Sequence, residues 1–394
     1  MNYVTRDIQS VFHQRLSQFP VVAVTGPRQA GKTTLVRTLL PDWRYVNLEE
    51  LDFRASARSD PRGFLSQWGP GTIIDEFQRV PELVSYLQAA VDTEGQAGQY
   101  VLTGSQSYQL HEQIAQSLAG RVGLLVLLPF AHREAAGMRA PESVWGSILA
   151  GGFPRVVTGG VPAHDWFPSF VTTCLERDVR HVLAVRDLIP FQQFVRLLAS
   201  RAGQLINYAS LARDTGLSIP TARQWVSVLE TSWLVVRLAP WFSNERKRLV
   251  RTPKLYFADT GLLCHLLGIH DGEDLSRHTL RGQVFENWVV METVKSAQNL
   301  GMAPDMHFYR DAAGNEVDIL ASARGRLVAL EAKSGETADL SMARGLRHVA
   351  APGFPTAHRL VVYAGRQQLP LGPLARAVGW AQLGDVLRDI WGQS

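Results

Sequence analysis

Residues Gly26-Pro27-Arg28-Gln29-Ala30-Gly31-Lys32-Thr33 spell a Gly-x-x-x-x-Gly-Lys-Thr loop. It follows Val21-Val22-Ala23-Val24 and precedes Thr34-Leu35-Val36-Arg37-Thr38-Leu39-Leu40, which stops at Pro41. The β-branched apolar run predicts a buried strand, and the segment after the loop predicts a helix. A strand, a glycine-bracketed loop and a helix start bring backbone N–H groups and the positive helix end onto one anion. Gly26, Pro27, Arg28, Gln29, Ala30, Gly31, Lys32, Thr33 and Thr34 are therefore expected to cradle the phosphates of ATP. In that role Lys32 reaches the outer phosphates and the Thr33 hydroxyl a Mg2+ ion.

A second apolar strand, Gly71-Thr72-Ile73-Ile74, ends in Asp75-Glu76. Carboxylates at the carboxyl edge of an open α/β sheet lie where its ligands collect. Asp75 is expected to hold magnesium, mostly through water, and Glu76 to orient and deprotonate the attacking water. The same pair also suits an acidic N-cap for a helix starting near Pro81-Glu82-Leu83. Tyr100-Val101-Leu102 predicts a third strand ending in Thr103-Gly104-Ser105. Its hydroxyls, Ser105 among them, either sense a γ-phosphate or make a plain turn. Arg121, in Ser117-Leu118-Ala119-Gly120-Arg121, is a candidate arginine finger or γ-phosphate sensor. It would act in cis or, in a homo-oligomeric ring, across subunits. A surface salt bridge is the competing reading, and Arg28 inside the loop is an alternative donor.

In the middle of the chain, Asn207 to Gly216 reads as a capped helix, and Pro220 opens a second helix that runs through Glu230 and buries Trp225, Val226 and Leu229. Two helices joined by a short glycine-containing turn are the helix-turn-helix pattern. Trp233–Leu238 and Lys254–Phe257 predict a pair of strands flanking a basic tip, Asn244-Glu245-Arg246-Lys247-Arg248, suited to phosphate contact. Thr221, Arg223 and Gln224 face outward as a set that could read bases of double-stranded DNA. A helical lid or packing module is the alternative.

Glu316–Ser322 and Leu327–Lys333 predict two strands joined by a two-residue turn at Arg324-Gly325. That register sets Asp318 opposite Glu331 and Glu316 opposite Lys333, all on one face. Glu316 and Lys333 then attract, whereas Asp318 and Glu331 repel by about 3 kcal/mol at ~5 Å and a dielectric near 20. A divalent cation reverses the sign, so Asp318 and Glu331 are candidate Mg2+ ligands, with Glu286 on an upstream helix as a third. Lys333 would orient a water or stabilise a pentavalent phosphate. A solvated hairpin face is the bland alternative.

This last arrangement resembles the restriction-endonuclease-like PD-(D/E)xK phosphodiesterases over residues 270–340, although Glu316-Val317-Asp318 has no preceding Pro-Asp. The resemblance implies catalytic roles for Asp318, Glu331 and Lys333. The chain as a whole is similar to prokaryotic AAA-type ATP-binding proteins with a C-terminal domain of unknown function. That similarity rests on the loop, Ile74-Asp75-Glu76-Phe77-Gln78, Leu102-Thr103-Gly104-Ser105-Gln106 and Leu118-Ala119-Gly120-Arg121. It continues through Lys254 to Leu262, Phe285-Glu286-Asn287 and Glu316-Val317-Asp318. The expected fold is α/β and multidomain. A parallel P-loop ATPase domain occupies 1–160, a helical winged-helix-like segment 161–262, and a restriction-endonuclease-like α/β domain 263–394, with a linker at Asp271-Gly272-Glu273-Asp274. The expected task is ATP binding and hydrolysis controlling either a Mg-dependent nuclease or a non-catalytic binding module.

At 394 residues two or three cores are expected. A net charge of +4 permits nucleic-acid contact without demanding it. The two cysteines, Cys174 and Cys264, lack zinc-ligand spacing and read as reduced core residues. Residues 1–7 lack the apolar core of a signal peptide, and the longest apolar run, Val122–Phe130, is far short of the ~20 residues of a membrane helix. These features point to the cytoplasm and away from a membrane.

Overall fold

Five short segments build the first sheet: β1 (Val21–Thr25), β2 (Arg44–Asn47), β3 (Thr72–Asp75), β4 (Tyr100–Thr103) and β5 (Val122–Val126). Their order is β2-β3-β4-β1-β5 and every pairing is parallel. Parallel strands covered on both faces read as continuous apolar runs rather than alternating ones. All five residues of β1 and all four of β3 and of β4 are accordingly buried. Phe64, Phe77, Leu83 and Leu87 pack against Ile74 and Leu102 of this sheet. Because β1 lies inside the sheet, the loop after Thr25 leaves from its interior at the carboxyl edge. The structure is a computed structural model describing residues 3–105, 117–138, 143–175, 188–241, 252–303, 305–311, 313–350 and 356–392.

The chain divides into two compact units, one of residues 5–129 with 231–233 and the other of the remainder. The division falls at Phe130 rather than near residue 160, and the middle and C-terminal segments share a single unit. In that unit Asn207 caps the Tyr208–Thr215 helix by accepting the Ser210 N–H at 3.0 Å, and Gly216 ends it at φ 69°. The following Ile219–Thr231 helix buries Ala222, Trp225, Val226, Val228 and Leu229, with Trp225 edge-on to Phe191 and Phe194. Trp233 adopts a left-handed φ of 58°, so the next strand, β6 (Val235–Pro240), starts two residues later than the apolar run suggests.

A mixed eight-stranded sheet completes this unit. Besides β6 it contains β7 (Lys254–Phe257), β8 (Asp305–Arg310), β9 (Glu316–Ala323), β10 (Arg326–Lys333), β11 (Thr356–Tyr363), β12 (Leu369–Leu371) and β13 (Ala375–Gly379). The order is β12-β13-β11-β10-β9-β8-β6-β7. The strand pair expected to form a separate wing is therefore continuous with the C-terminal sheet, through the parallel pairing of β6 with β8. The basic tip Asn244–Arg248 lies outside the described residues. The expected linker at Asp271–Asp274 is instead the start of a helix, Gly272–Arg277. The Asp271 carboxylate caps it by accepting the Asp274 N–H at 2.7 Å. Among the described residues no helix is long and apolar enough to cross a membrane.

Candidate functional site

The loop after β1 is held open by its own backbone. Gly26 has φ 140°, and a Cβ there would stand 2.1 Å from the Leu127 carbonyl oxygen, so only glycine fits. Gly31 at φ 94° then turns the chain into the Lys32–Leu39 helix. Arg6, 4% exposed, braces the loop from beneath by donating to Ala30 O at 3.2 Å and Leu128 O at 2.8 Å. The Lys32 ammonium donates to Gly26 O at 3.0 Å and Pro27 O at 2.8 Å, poising it over the loop's mouth. A cleft of about 490 Å3 runs along the Lys32–Leu39 helix from Thr33 and Thr34 at its start to Leu40 and Pro41 past its end, with Trp43 and Tyr45 also lining it.

The carboxyl ends of β3 and β4 bring the remaining groups to this loop. Asp75 accepts from the Thr33 hydroxyl at 2.8 Å, the Tyr45 hydroxyl at 2.8 Å and the Thr103 hydroxyl. Thr33 Oγ1 and the Asp75 carboxylate form an oxygen donor pair of the kind magnesium takes, so the residues fit that ion. Glu76 sits at a left-handed φ of 52°, a conformation a non-glycine residue holds only when its surroundings enforce it. Burial pushes the Glu76 carboxyl above its ordinary range, against the pull of Lys32 and Arg28. Gln78 Nε2 donates to Glu76 and, at 3.3 Å, to the buried Ser105 hydroxyl. Sequence reasoning gave no role to Arg6, Tyr45 or Gln78. Only the Gln78 position was signalled, by its place just after Asp75-Glu76.

Arg121 is not brought to this site. Its carbonyl accepts from Val21 N, at the start of β1, whereas the loop begins five residues later, about 16 Å along the strand. Its guanidinium is engaged in a two-point pair with Asp92, Nε–Oδ1 2.5 Å and Nη2–Oδ2 2.9 Å. The salt-bridge reading of Arg121 therefore replaces the finger in cis. Arg28 is the arginine whose charge is felt by Glu76.

In the other unit the β9–β10 hairpin turns at Arg324 (φ 49°) and Gly325 (φ 74°), the two positive values a type I′ turn requires. The register runs from Arg326 opposite Ala323 to Leu330 opposite Ile319, and its next step sets Glu331 opposite Asp318. Ala332 N donates to Asp318 Oδ2 at 2.8 Å. The Glu316–Lys333 attraction expected from this register is not made. Lys333 pairs with Glu331 at 2.7 Å, and Glu316 pairs with Lys254 of β7 at 2.5 Å. Lys254 is 4% exposed and also binds Glu286 at 2.9 Å, while the Tyr256 hydroxyl donates to the same Glu286 oxygen at 2.6 Å.

The Arg281–Asn299 helix that delivers Glu286 is tied to β7 by its neighbour. Asn287 exchanges two hydrogen bonds, each 2.8 Å, with the Phe257 backbone. Burial first, then Glu286 and Glu331, push the Asp318 carboxyl well up. Burial likewise raises Glu331, against the pull of Lys333. Burial disfavours charge on Lys254, but Glu286, Asp318 and Glu316 outweigh it and hold the ammonium above its ordinary range. The expected ligand set of Glu286, Asp318 and Glu331 is a poor match for magnesium, because the Lys254 ammonium already holds its Glu286 carboxylate. Among the described residues no group of three or more His, Cys, Asp or Glu side chains is placed to hold a metal. Sequence reasoning counted Lys254 with the basic stretch that precedes it. The signal was its alternation with Tyr256, which puts both on one face of a short strand.

Residues 18–136 match a family described as an AAA domain. Residues 142–273 and 281–383 match two domains of unknown function, DUF8612 and DUF4143. The chain is 34% identical over 379 residues to the uncharacterized protein Rv2008c of Mycobacterium tuberculosis, covering 95% of this chain and 83% of that protein. The same figures hold for the uncharacterized protein Mb2031c of Mycobacterium bovis. Among solved structures, the Walker-type ATPase PABY2304 of Pyrococcus abyssi is similar at 16% identity and a TM-score of 0.44, over 66% of this chain and 94% of that one. AMPPCP-bound DnaA from Aquifex aeolicus is similar at 11% identity and a TM-score of 0.30, over 57% and 85%. Both structural similarities are too distant to transfer a site. The sequence relationship is near and nearly full-length: this chain belongs to the family of these uncharacterized mycobacterial proteins, and it is an AAA-type protein with additional domains after its AAA domain.

Proposed function

We propose that this protein binds and hydrolyses ATP in its 5–129 unit and uses the nucleotide state to control the 130–394 unit, which acts as a binding module and not as a metal-dependent nuclease. The observation that carries the ATPase reading is the 2.8 Å bond between Thr33 Oγ1 and Asp75 Oδ2, which joins the loop to the β3 carboxylate beside Lys32 and Glu76. On nucleotide binding, the Lys32 ammonium exchanges the Gly26 and Pro27 carbonyls for outer phosphate oxygens. Thr33 and Asp75 would hold magnesium, which supplies charge neutralisation between the phosphates. Glu76 takes a proton from water as the water oxygen bonds to the γ-phosphorus and the bond to the ADP oxygen breaks. Gln78 holds the Glu76 carboxylate in line with Ser105.

The binding-module reading of the other unit is supported by Lys254, whose ammonium sits among the carboxylates that a nuclease would need for its metal. Double-stranded DNA is the partner class suited to Arg223 and Gln224, both exposed on the Ile219–Thr231 helix. Thr221 does not join them, since its hydroxyl and N–H are engaged with Ser218 at the helix start. ATP at ~100 times its Kd stabilises a bound arrangement by about 2.7 kcal/mol, enough to shift a two-state equilibrium roughly a hundredfold.

Phosphate release from Mg-ATP tests the ATPase half. Glu76→Gln should keep ATP binding and slow turnover about a hundredfold or more, and unchanged turnover removes Glu76 as the base. Incubation of supercoiled DNA with Mn2+ or Mg2+ tests the other half. No nicking is expected, and nicking that Asp318→Ala abolishes reverses the reading.

A further inference from the structure

Lys254 reaches the hairpin face from β7, outside the strands that carry the acids. Its nitrogen lies 2.9 Å from Glu286 Oε1 and 2.5 Å from Glu316 Oε1, and its side chain is 5% exposed. We infer that Lys254 is the resident cation of this cluster, occupying the place a divalent metal would take between the helix acid Glu286 and the β9 carboxylates. Wild-type protein then takes no metal there, and removing the lysine side chain opens a divalent-cation site. The inference rests on the reading of this unit as a non-cleaving module and deepens it.

Three of the four carboxylates already have a cation from the protein. Four carboxyl groups, Glu286, Glu316, Asp318 and Glu331, meet three cations: Lys254, Lys333 and Arg310, the last 3.6 Å from Glu316. The odd carboxyl is Asp318. Burial and its acidic neighbours push it well up, and its Oδ2 accepts the Ala332 N–H at 2.8 Å. Tyr256 adds a neutral donor to the Glu286 oxygen that Lys254 holds, leaving that oxygen with two protein partners. A charged group removed from water persists only when paired and hydrogen-bonded, and Lys254 meets both conditions. Glu331 Oε2, buried and without a hydrogen-bond donor among the described residues, is roofed by the chain at Gly345, where a Cβ would stand 3.1 Å from it. An ion entering the cluster would have to displace an ammonium that its carboxylates already hold.

Mn2+ binding to the full-length, nucleotide-free protein, read by electron paramagnetic resonance, tests this. Wild type and Glu286→Gln should bind Mn2+ identically. Lys254→Ala should gain one site at least tenfold tighter than any in wild type, lost again in the Lys254→Ala/Glu286→Gln double variant. Lys254→Arg, which keeps the charge, should gain none. Glu286-dependent Mn2+ binding by wild type overturns the inference, as does a folded Lys254→Ala protein that takes no additional Mn2+. Should Lys254→Ala not fold, the comparison of wild type with Glu286→Gln decides alone. Wild type that binds Mn2+ through Glu286 but does not nick DNA sinks this inference and spares the reading of the unit. Wild type that nicks without Glu286-dependent Mn2+ does the reverse.

Discussion

Replacing Gly26 by alanine probes the loop at its tightest point. An alanine Cβ would lie 2.1 Å from the Leu127 carbonyl oxygen, a backbone atom that cannot rotate away, and φ 140° is itself unfavourable for an L-residue. Backbone strain of this kind costs about 1–3 kcal/mol, and relief requires the loop to move by roughly an ångström to restore ordinary contact. Such a shift breaks the alignment of loop N–H groups with phosphate. Each charge-assisted hydrogen bond lost is worth about 1.5–3 kcal/mol, roughly ten- to a hundredfold in Kd. Calorimetric titration with Mg-ATP should therefore show Gly26→Ala weakened at least tenfold. Gly120→Ala is the control. Its φ of 76° is also left-handed, but a Cβ there meets nothing within 4 Å and it lies beside Arg121, away from the loop. Gly120→Ala should lower thermal stability and leave ATP affinity unchanged. If Gly26→Ala binds ATP within threefold of wild type, the loop N–H groups do not hold the phosphates.

Other consequences follow from the same geometry. Arg121→Ala should leave ATP turnover within twofold of wild type at any protein concentration, because its guanidinium is engaged with Asp92 at the far edge of the sheet; a loss of several orders of magnitude would restore it as a finger. Since burial raises the Glu76 carboxyl and the base must be ionised to accept a proton, turnover should fall on acidification through a pKa above the ordinary 4.5 of glutamate. A pH–rate profile flat down to that value contradicts the assignment. Tyr45→Phe removes one of the donors to Asp75, and should weaken Mg-dependent ATP binding severalfold while Mg-free binding stays constant.

The sequence announced what depends on neighbours along the chain. The loop, its flanking strand and helix, and Asp75-Glu76 at a strand end are local patterns, and the sheet order places them together. The hairpin register was also legible, because Arg324-Gly325 can only turn one way and a two-residue turn fixes every pairing after it. What sequence could not show is contact between distant strands. Arg6 meets the loop across 24 residues, and Lys254 meets Glu316 across 62. Arg121 failed for the same reason: proximity of motifs in sequence order does not reveal which end of a strand a residue occupies. The wing strands were read correctly as a pair, but only the register of β6 with β8 reveals that they extend the C-terminal sheet.

A working nucleotide site in the 5–129 unit underlies every role proposed for this protein. Titration of full-length wild type and Lys32→Ala with ATP, each with and without Mg2+, tests this most directly. Wild type should bind one ATP per chain, more tightly with Mg2+, and Lys32→Ala should lose at least tenfold in affinity. Wild-type protein that binds no ATP, or a Lys32→Ala protein that binds it equally well, contradicts the account.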